Sequence, residues 1–170
     1  MYLWVIVAAA VFEQDGPVIM QLTEHFSLEE LIASHTAVRL GIDNTPPASL
    51  MPNLHVLAAG LERVRTALHG RPIHVNSGYR SLALNTKIGG AKHSRHIDGL
   101  AADLICPAFG SPLAVCRAIA AAGLKPDQVI HEFGQWCHVS FVAPGGAPRG
   151  ELLTISSAAS GYQVGLHSLG

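Results

Sequence analysis

Apolar residues recur at helical spacing in one long stretch of the chain. Leucine, alanine and valine occupy positions 54, 57, 58, 61, 64 and 68, and Gly70 follows them as a stop signal. This pattern predicts an amphipathic helix that ends just before the glycine. The segment that precedes it, 41–52, is rich in proline and polar residues, so we predict a loop there.

Three shorter helices are indicated by their start signals. Ser27 and Glu30 form a capping box, which predicts a short helix through Ala33. Residues 81–85, SLALN, predict a helical turn. Ser111 followed by a proline opens another helix, which runs to a glycine at position 123, because proline is well tolerated at the first helical position.

Short apolar runs bounded by turn residues predict strands. They read PIHVNS, AADLIC, QVIHEF, WCHVSFV and ELLTI, and begin at residues 72, 101, 128, 136 and 151. The third and fourth runs are close enough to form a hairpin. Because helices dominate the first part and strands follow without regular alternation, the chain is predicted to be an α+β domain with a small antiparallel sheet.

Composition narrows the function classes. The chain has 170 residues and a formal net charge of −1, so it lacks the basic surface expected of a nucleic-acid-binding protein. Its three cysteines lack C-x-x-C spacing, which argues against a disulfide framework and a thiolate zinc site.

The apolar run near the N-terminus is too short for a membrane span, which needs about 20 residues. Residues 1–19 are either a weak signal-like segment or an upstream extension, and we assign 20–170 to one domain.

Two predicted strands each contain a polar residue among apolar ones. Asp103 lies within AADLIC and His138 within WCHVSFV. A buried carboxylate needs a partner, so Asp103 is expected to bind a metal or to pair with Arg80 or Arg95. His96 can approach Asp103 only if it lies in a loop and the strand begins after Gly99, because the two positions would otherwise face opposite sides of one strand. Two histidines and a carboxylate would leave an open fourth position on a zinc ion, as catalytic sites require.

These residues carry a resemblance to a known family. The segment 94–103, SRHIDGLAAD, resembles the S-x-H-x-x-G-x-A-x-D signature of the zinc D-Ala-D-Ala metallopeptidases (peptidase M15-like), and SGYRS upstream and WCHVSF downstream resemble its flanking motifs in the same order. HFSLEELIAS and NLHVLAAGLERVR are similar to segments of its phage and prophage branch of small peptidoglycan peptidases. The resemblance covers roughly residues 20–156. It implies a D-Ala-D-Ala metallopeptidase or hedgehog-like fold, with helices packed on one side of the sheet that carries the zinc.

The resemblance also implies roles for individual residues. His96, Asp103 and His138 would bind Zn²⁺. Arg80 would hold the carbonyl of the substrate and stabilise the oxyanion, because a guanidinium stays charged and donates in a fork. Ser94 would support the metal-binding residues or contact the substrate by a hydrogen bond, or it would only cap its loop. Tyr79 and Trp136 are expected either to wall the cleft or to lie in the core.

The general base is where the sequence departs from part of the family. Many relatives have a glutamate three residues before the last histidine, and this chain has Gln135 there. The alternatives are Glu132 and His131, and the hairpin register decides between them. A three-residue turn would place Glu132 on the same face as His138, whereas a two-residue turn would place His131 there. We favour Glu132, which can accept the proton of water and return it to the leaving amine.

The function implied is zinc-dependent hydrolysis of bacterial peptidoglycan peptides, at a D-Ala-D-Ala bond, an L-Ala-D-Glu bond or a cross-bridge. The alternative is a catalytically inactive zinc-binding module of the same fold that binds cell-wall peptide. A thiol peptidase based on Cys137 is disfavoured, because adjacent strand residues point to opposite faces. The expected partner is the peptidoglycan stem peptide, without nucleic acid. We further expect a monomer, made in the cytoplasm and acting at the cell wall in a phage or prophage context.

Overall fold

The computed structural model describes residues 19–169, so the predicted N-terminal segment lies outside the described residues except for Ile19. The elements in chain order are α1 (Leu28–Ile32), α2 (His35–Leu40), a 3₁₀ turn (Ala48–Leu50), α3 (Met51–Ala67), β1 (His74–Ser77), α4 (Leu82–Lys87), β2 (Ala101–Ile105), α5 (Pro112–Ala121), β3 (Gln128–Glu132), β4 (Trp136–Ser140), β5 (Glu151–Ile155) and β6 (Gln163–Val164). The α+β class is therefore confirmed. Among the helices of the described residues, none has both the length and the apolar character needed to cross a membrane.

Serine side chains start four of the helices. Ser27, Ser34, Ser81 and Ser111 each accept a hydrogen bond from the backbone N–H three residues later, which satisfies one of the free donors of the first turn. The helix α2 was not predicted, because Ala37 is its one buried residue and the segment therefore shows no apolar periodicity. The predicted loop 41–52 was also too long, since α3 begins at Met51 with a proline in its first turn, where no helical N–H is required.

The strands form one six-stranded sheet in the order β1-β2-β4-β3-β5-β6. All neighbouring strands are antiparallel except β3 and β5, so the prediction of a purely antiparallel sheet was wrong for this pair. Ser140 at the end of β4 and Glu151 at the start of β5 both pair with Gln128, the first residue of β3. The connection 141–150 therefore crosses the edge of the sheet at which β3 begins. As a result β5 lies on the other side of β3 from β4 and runs parallel to β3.

The two faces of the sheet have different surroundings. Leu104, Val129, Cys137 and Val139 alternate with the polar strand residues and lie in the buried apolar cluster formed with α3 and α5. The helix α5 packs on β3 and β4, and α3 packs against α5. The helices α3 and α5 therefore cover one face, as predicted. The side chains of Asp103 and His138 point to the other face.

A close approach of α3 to the end of the sheet depends on Gly60. A Cβ at this position would lie 2.3 Å from the ring of Phe141, which directly follows β4. Such a separation is far below a van der Waals contact, so only glycine allows the helix and the ring to pack this closely.

Candidate metal centre

Three chain segments bring His96, Asp103 and His138 together. Asp103 on β2 is the direct antiparallel partner of His138 on β4, so their side chains share one face. His96 lies in the loop before β2, as predicted, and its carbonyl accepts hydrogen bonds from the backbone N–H groups of Arg80 and Gly99. Gly99 has φ 68° and ends the turn in a conformation that favours glycine.

The ligand-type atoms of these residues are mutually close. His96 Nε2 lies 3.2 Å from both Asp103 Oδ1 and His138 Nδ1, and His138 Nδ1 lies 2.8 Å from Asp103 Oδ1. Zinc bonds of about 2.0–2.1 Å in a tetrahedral arrangement place ligand atoms roughly 3.3 Å apart. All three residues are buried, with at most 7% of their surface exposed. The geometry and the donor set therefore fit a zinc ion.

A backbone carbonyl fixes the orientation of His96. Its Nδ1 lies 2.6 Å from the carbonyl oxygen of Gly78. Only a protonated Nδ1 can donate to that oxygen, so the neutral ring presents the lone pair of Nε2 to the other two residues. A histidine that binds a metal through one ring nitrogen usually donates a hydrogen bond from the other, often to a backbone carbonyl.

The protonation states also suit a metal site. Burial by itself would raise the pKa of Asp103, but the two histidines outweigh it and hold this pKa well below the ordinary value. Burial lowers the pKa of His96, against the opposing charge of Asp103. An ionised carboxylate and a neutral imidazole are the forms that bind a metal ion.

Arg80 connects the carboxylate to the adjoining cleft. Its guanidinium donates one hydrogen bond to Asp103 Oδ2, and its Nε–H donates another to Ser77 Oγ at 2.8 Å. The two oxygens of Asp103 are thus divided, with Oδ1 facing the histidines and Oδ2 facing Arg80. The ion pair considered as an alternative to metal binding is present together with the histidine cluster.

The β3–β4 register places Glu132 on the metal-facing side. Glu132 pairs with Trp136 across a three-residue turn, and Ile130 pairs with His138, so Glu132 shares the face of His138. The indole N–H of Trp136 donates to Glu132 Oε2 at 2.9 Å. Burial raises the pKa of Glu132. His131 pairs with Cys137 on the opposite face, and its Nδ1 lies 2.9 Å from the carbonyl oxygen of His167.

A cleft of about 740 Å³ opens beside Asp103. Ser34, His35 and Thr36 lie on one of its walls, at the start of α2. Residues of β1, Arg80 and Trp136 also line the cleft. The space is of the size that accommodates a small molecule or a short peptide.

The remaining residues predicted to bind substrate have different positions. Trp136 lines the cleft. Tyr79 is 5% exposed and lies in the apolar core, so its side chain does not form the cleft wall. Ser94 accepts a hydrogen bond from the backbone N–H of His96 and lines a different pocket of about 440 Å³ together with His93. Its observed contact is therefore within its own loop.

Some residues near the site were not identified from the sequence. The start of α2 lines the cleft, but neither a motif nor an apolar pattern marked it. The pKa of Tyr162 is raised, first by burial and then by the charges of Glu132 and Asp103. Asn44 contacts the backbone on both sides of Arg80. The surroundings of the start of α2, of Tyr162 and of Asn44 depend on packing between distant segments, so no local sequence signal could have indicated them.

Known proteins provide an independent comparison. A family model described as Peptidase M15 matches residues 24–140 of the chain. A zinc D-Ala-D-Ala carboxypeptidase from Streptomyces albus G is 44% identical over 57 residues. That match covers 34% of this chain and 22% of the relative, so the chain corresponds to only about a fifth of the length of that protein. The family match contains all three residues of the candidate metal centre, Arg80 and Glu132.

Proposed function

This chain belongs to the Peptidase M15 family, and so to the zinc metallopeptidases, and we propose that it hydrolyses peptide bonds in the stem peptides of bacterial peptidoglycan. The observation that carries the proposal is a buried cluster of two histidines and a carboxylate, with Glu132 on the same face of the sheet and a cleft alongside. The curated relative, by its name a zinc D-Ala-D-Ala carboxypeptidase, supports this class of substrate.

His96, Asp103 and His138 would hold the zinc ion, through Nε2, Oδ1 and Nδ1. A zinc ion bound there would supply a Lewis acid that polarises a carbonyl and lowers the pKa of water. The protonation states suit zinc binding, because the carbonyl of Gly78 fixes the tautomer of His96 and because Asp103 stays ionised.

Glu132 would act as the proton carrier. Its carboxylate would take a proton from the attacking water and deliver it to the nitrogen of the leaving amine. A base works best when its pKa lies near the working pH, and burial raises the pKa of Glu132 in that direction. The hydrogen bond from Trp136 holds one oxygen of the carboxylate, which leaves the other for the proton.

Arg80 would hold the substrate in the cleft. Two of its five N–H donors are directed to Ser77 and Asp103. The fork therefore has donors left for the carbonyl or carboxylate oxygen of a peptide, and Trp136 offers an apolar surface beside it. Ser94 and Tyr79, given their positions, would act by shaping the loop and the core.

The bond cleaved is the finer part of the proposal. We favour a D-Ala-D-Ala bond or an L-Ala-D-Glu-type bond, the first because of the name of the curated relative. Three further statements stay predictions: that the protein is a monomer, that it acts at the cell wall, and that it belongs to a phage or prophage.

Digestion of purified peptidoglycan, followed by mass spectrometry of the released fragments, tests the proposal. Wild type should release peptides or D-alanine with new amine termini, and Glu132→Ala should not, while it keeps its zinc. Gln135→Ala is the matched control, because Gln135 is an exposed residue of the same turn, and it should retain activity. Full activity of Glu132→Ala would refute the assigned base, and an inactive wild type with zinc bound would favour the binding module.

A further inference from the structure

A side chain from a distant loop binds the backbone on both sides of Arg80. The amide nitrogen of Asn44 donates to the carbonyl oxygens of Ile32 at 2.8 Å and Tyr79 at 3.2 Å. Its amide oxygen accepts the backbone N–H of Ser81 at 2.7 Å. An asparagine amide has two donor hydrogens, and both are used here.

The three backbone groups belong to residues that are next in the chain to residues of the cleft lining. Tyr79 and Ser81 are the immediate neighbours of Arg80 in the chain, and Ser81 also caps α4. Ile32 ends α1, just before residues 33–36, which also line the cleft. Asn44 therefore ties the backbone on both sides of Arg80 to the segment that leads into α2, which also lines the cleft.

The surrounding loop is arranged to present this side chain. The preceding residue, Asp43, accepts the backbone N–H of Thr45 at 2.8 Å, which forms a local turn around Asn44. No smaller side chain offers two donors and an acceptor at this reach. Aspartate would keep the acceptor and lose both donors, and alanine would lose all three bonds.

We propose that Asn44 is a positioning residue for Arg80: it fixes the guanidinium relative to the metal face and sets the distance between Arg80 and the α2 wall. The role of Arg80 in binding the substrate rests on the proposed function. Placement of such a group matters because a displacement of about 1 Å at a reacting centre can lower the rate roughly 100-fold. Asn44 acts through Arg80 and does not itself need to touch the substrate.

The first test is spectroscopic and does not depend on activity. The Nε–H of Arg80 is hydrogen-bonded to Ser77, so it should give a distinct, exchange-protected NMR signal in the zinc-loaded protein. In Asn44→Ala this signal should shift and lose protection, while Thr45→Ala, the matched change at the next position, should leave it unchanged. An unaltered Arg80 signal in Asn44→Ala would overturn the proposal. If that variant does not fold, Asn44→Asp, which keeps the size and the acceptor, should show the same loss.

The second test is a double-mutant cycle measured on stem peptide hydrolysis. Asn44→Ala should lower kcat/KM by about 10- to 100-fold with zinc content unchanged. In an Arg80→Ala background the same substitution should have little further effect. Equal fold-losses in both backgrounds would show that Asn44 does not act through Arg80. If wild type proves inactive while the Arg80 signal responds as expected, the proposed function fails and the positioning role stands.

Discussion

Protonation of Asp127 should remove a measurable part of the stability of the protein at low pH. Its side chain is 1% exposed and is bound by both Arg95 and Arg149. Hydrogen bonds from the Arg149 side chain are the main reason that the pKa of Asp127 falls to about 2, from an ordinary value of 3.8. The carboxylate also accepts the backbone N–H of Arg149 at 3.0 Å and thereby holds the connection between β4 and β5.

The size and direction of the effect follow from these two pKa values. A group whose pKa is lower in the folded state stabilises the fold fully above its unfolded pKa, and this contribution disappears as the pH falls through the folded pKa. A lowering of nearly two units corresponds to roughly 2.5 kcal/mol. This contribution should therefore be complete above about pH 5 and should be lost between about pH 4 and pH 2.

Urea unfolding of zinc-free wild type and Asp127→Asn, followed by tryptophan fluorescence, measures this contribution. The difference in the free energy of unfolding should be about 2–3 kcal/mol at pH 6 and should narrow steadily below pH 4. Asp98→Asn is the matched control, because Asp98 pairs with the same Arg95 but its side chain is 48% exposed, and it should change stability by less than about 1 kcal/mol. A gap between wild type and Asp127→Asn that stays constant from pH 6 to pH 2 would refute the reasoning.

Three further substitutions test the packing and the site. Gly60→Ala should destabilise the fold by about 1–3 kcal/mol in thermal or urea unfolding, because its Cβ would meet the ring of Phe141, and Phe141→Leu in the same chain should restore part of the loss. Gly78→Ala would place a Cβ 2.3 Å from a backbone oxygen and shift the carbonyl that orients His96, so chelator competition should show roughly 10- to 100-fold weaker zinc binding. His131→Ala should lower stability but retain peptidoglycan hydrolysis, and an inactive, folded variant would contradict the assignment of the base.

The parts of the fold that were predictable have local causes. The serine at position 27 and the apolar spacing in α3 each act within a few residues, so the sequence alone indicates where those helices lie. The hairpin was also predictable, because its two strands are close in the chain. The choice between Glu132 and His131 needed the register, since a shift by one residue exchanges the faces.

The parts that were missed depend on contacts between distant segments. The parallel pairing of β5 with β3 arises because the connection between β4 and β5 crosses over β3, and composition does not encode that path. Asn44 lies in a segment predicted as loop, and its importance appears only when Tyr79 and Ser81 are seen beside it. Tyr79 was considered for the cleft, but the backbone N–H of this residue bonds to Leu31, and its ring packs into the core.

The zinc content of the protein tests the central claim most directly. Wild type, His138→Ala and His93→Ala would be purified without a histidine tag and analysed for metal by elemental analysis. We expect about one zinc per chain in wild type and in His93→Ala, whose exposed histidine lies three residues before His96, and almost none in His138→Ala. A wild type without zinc after refolding with the metal, or a His138→Ala variant that retains it, would contradict the account.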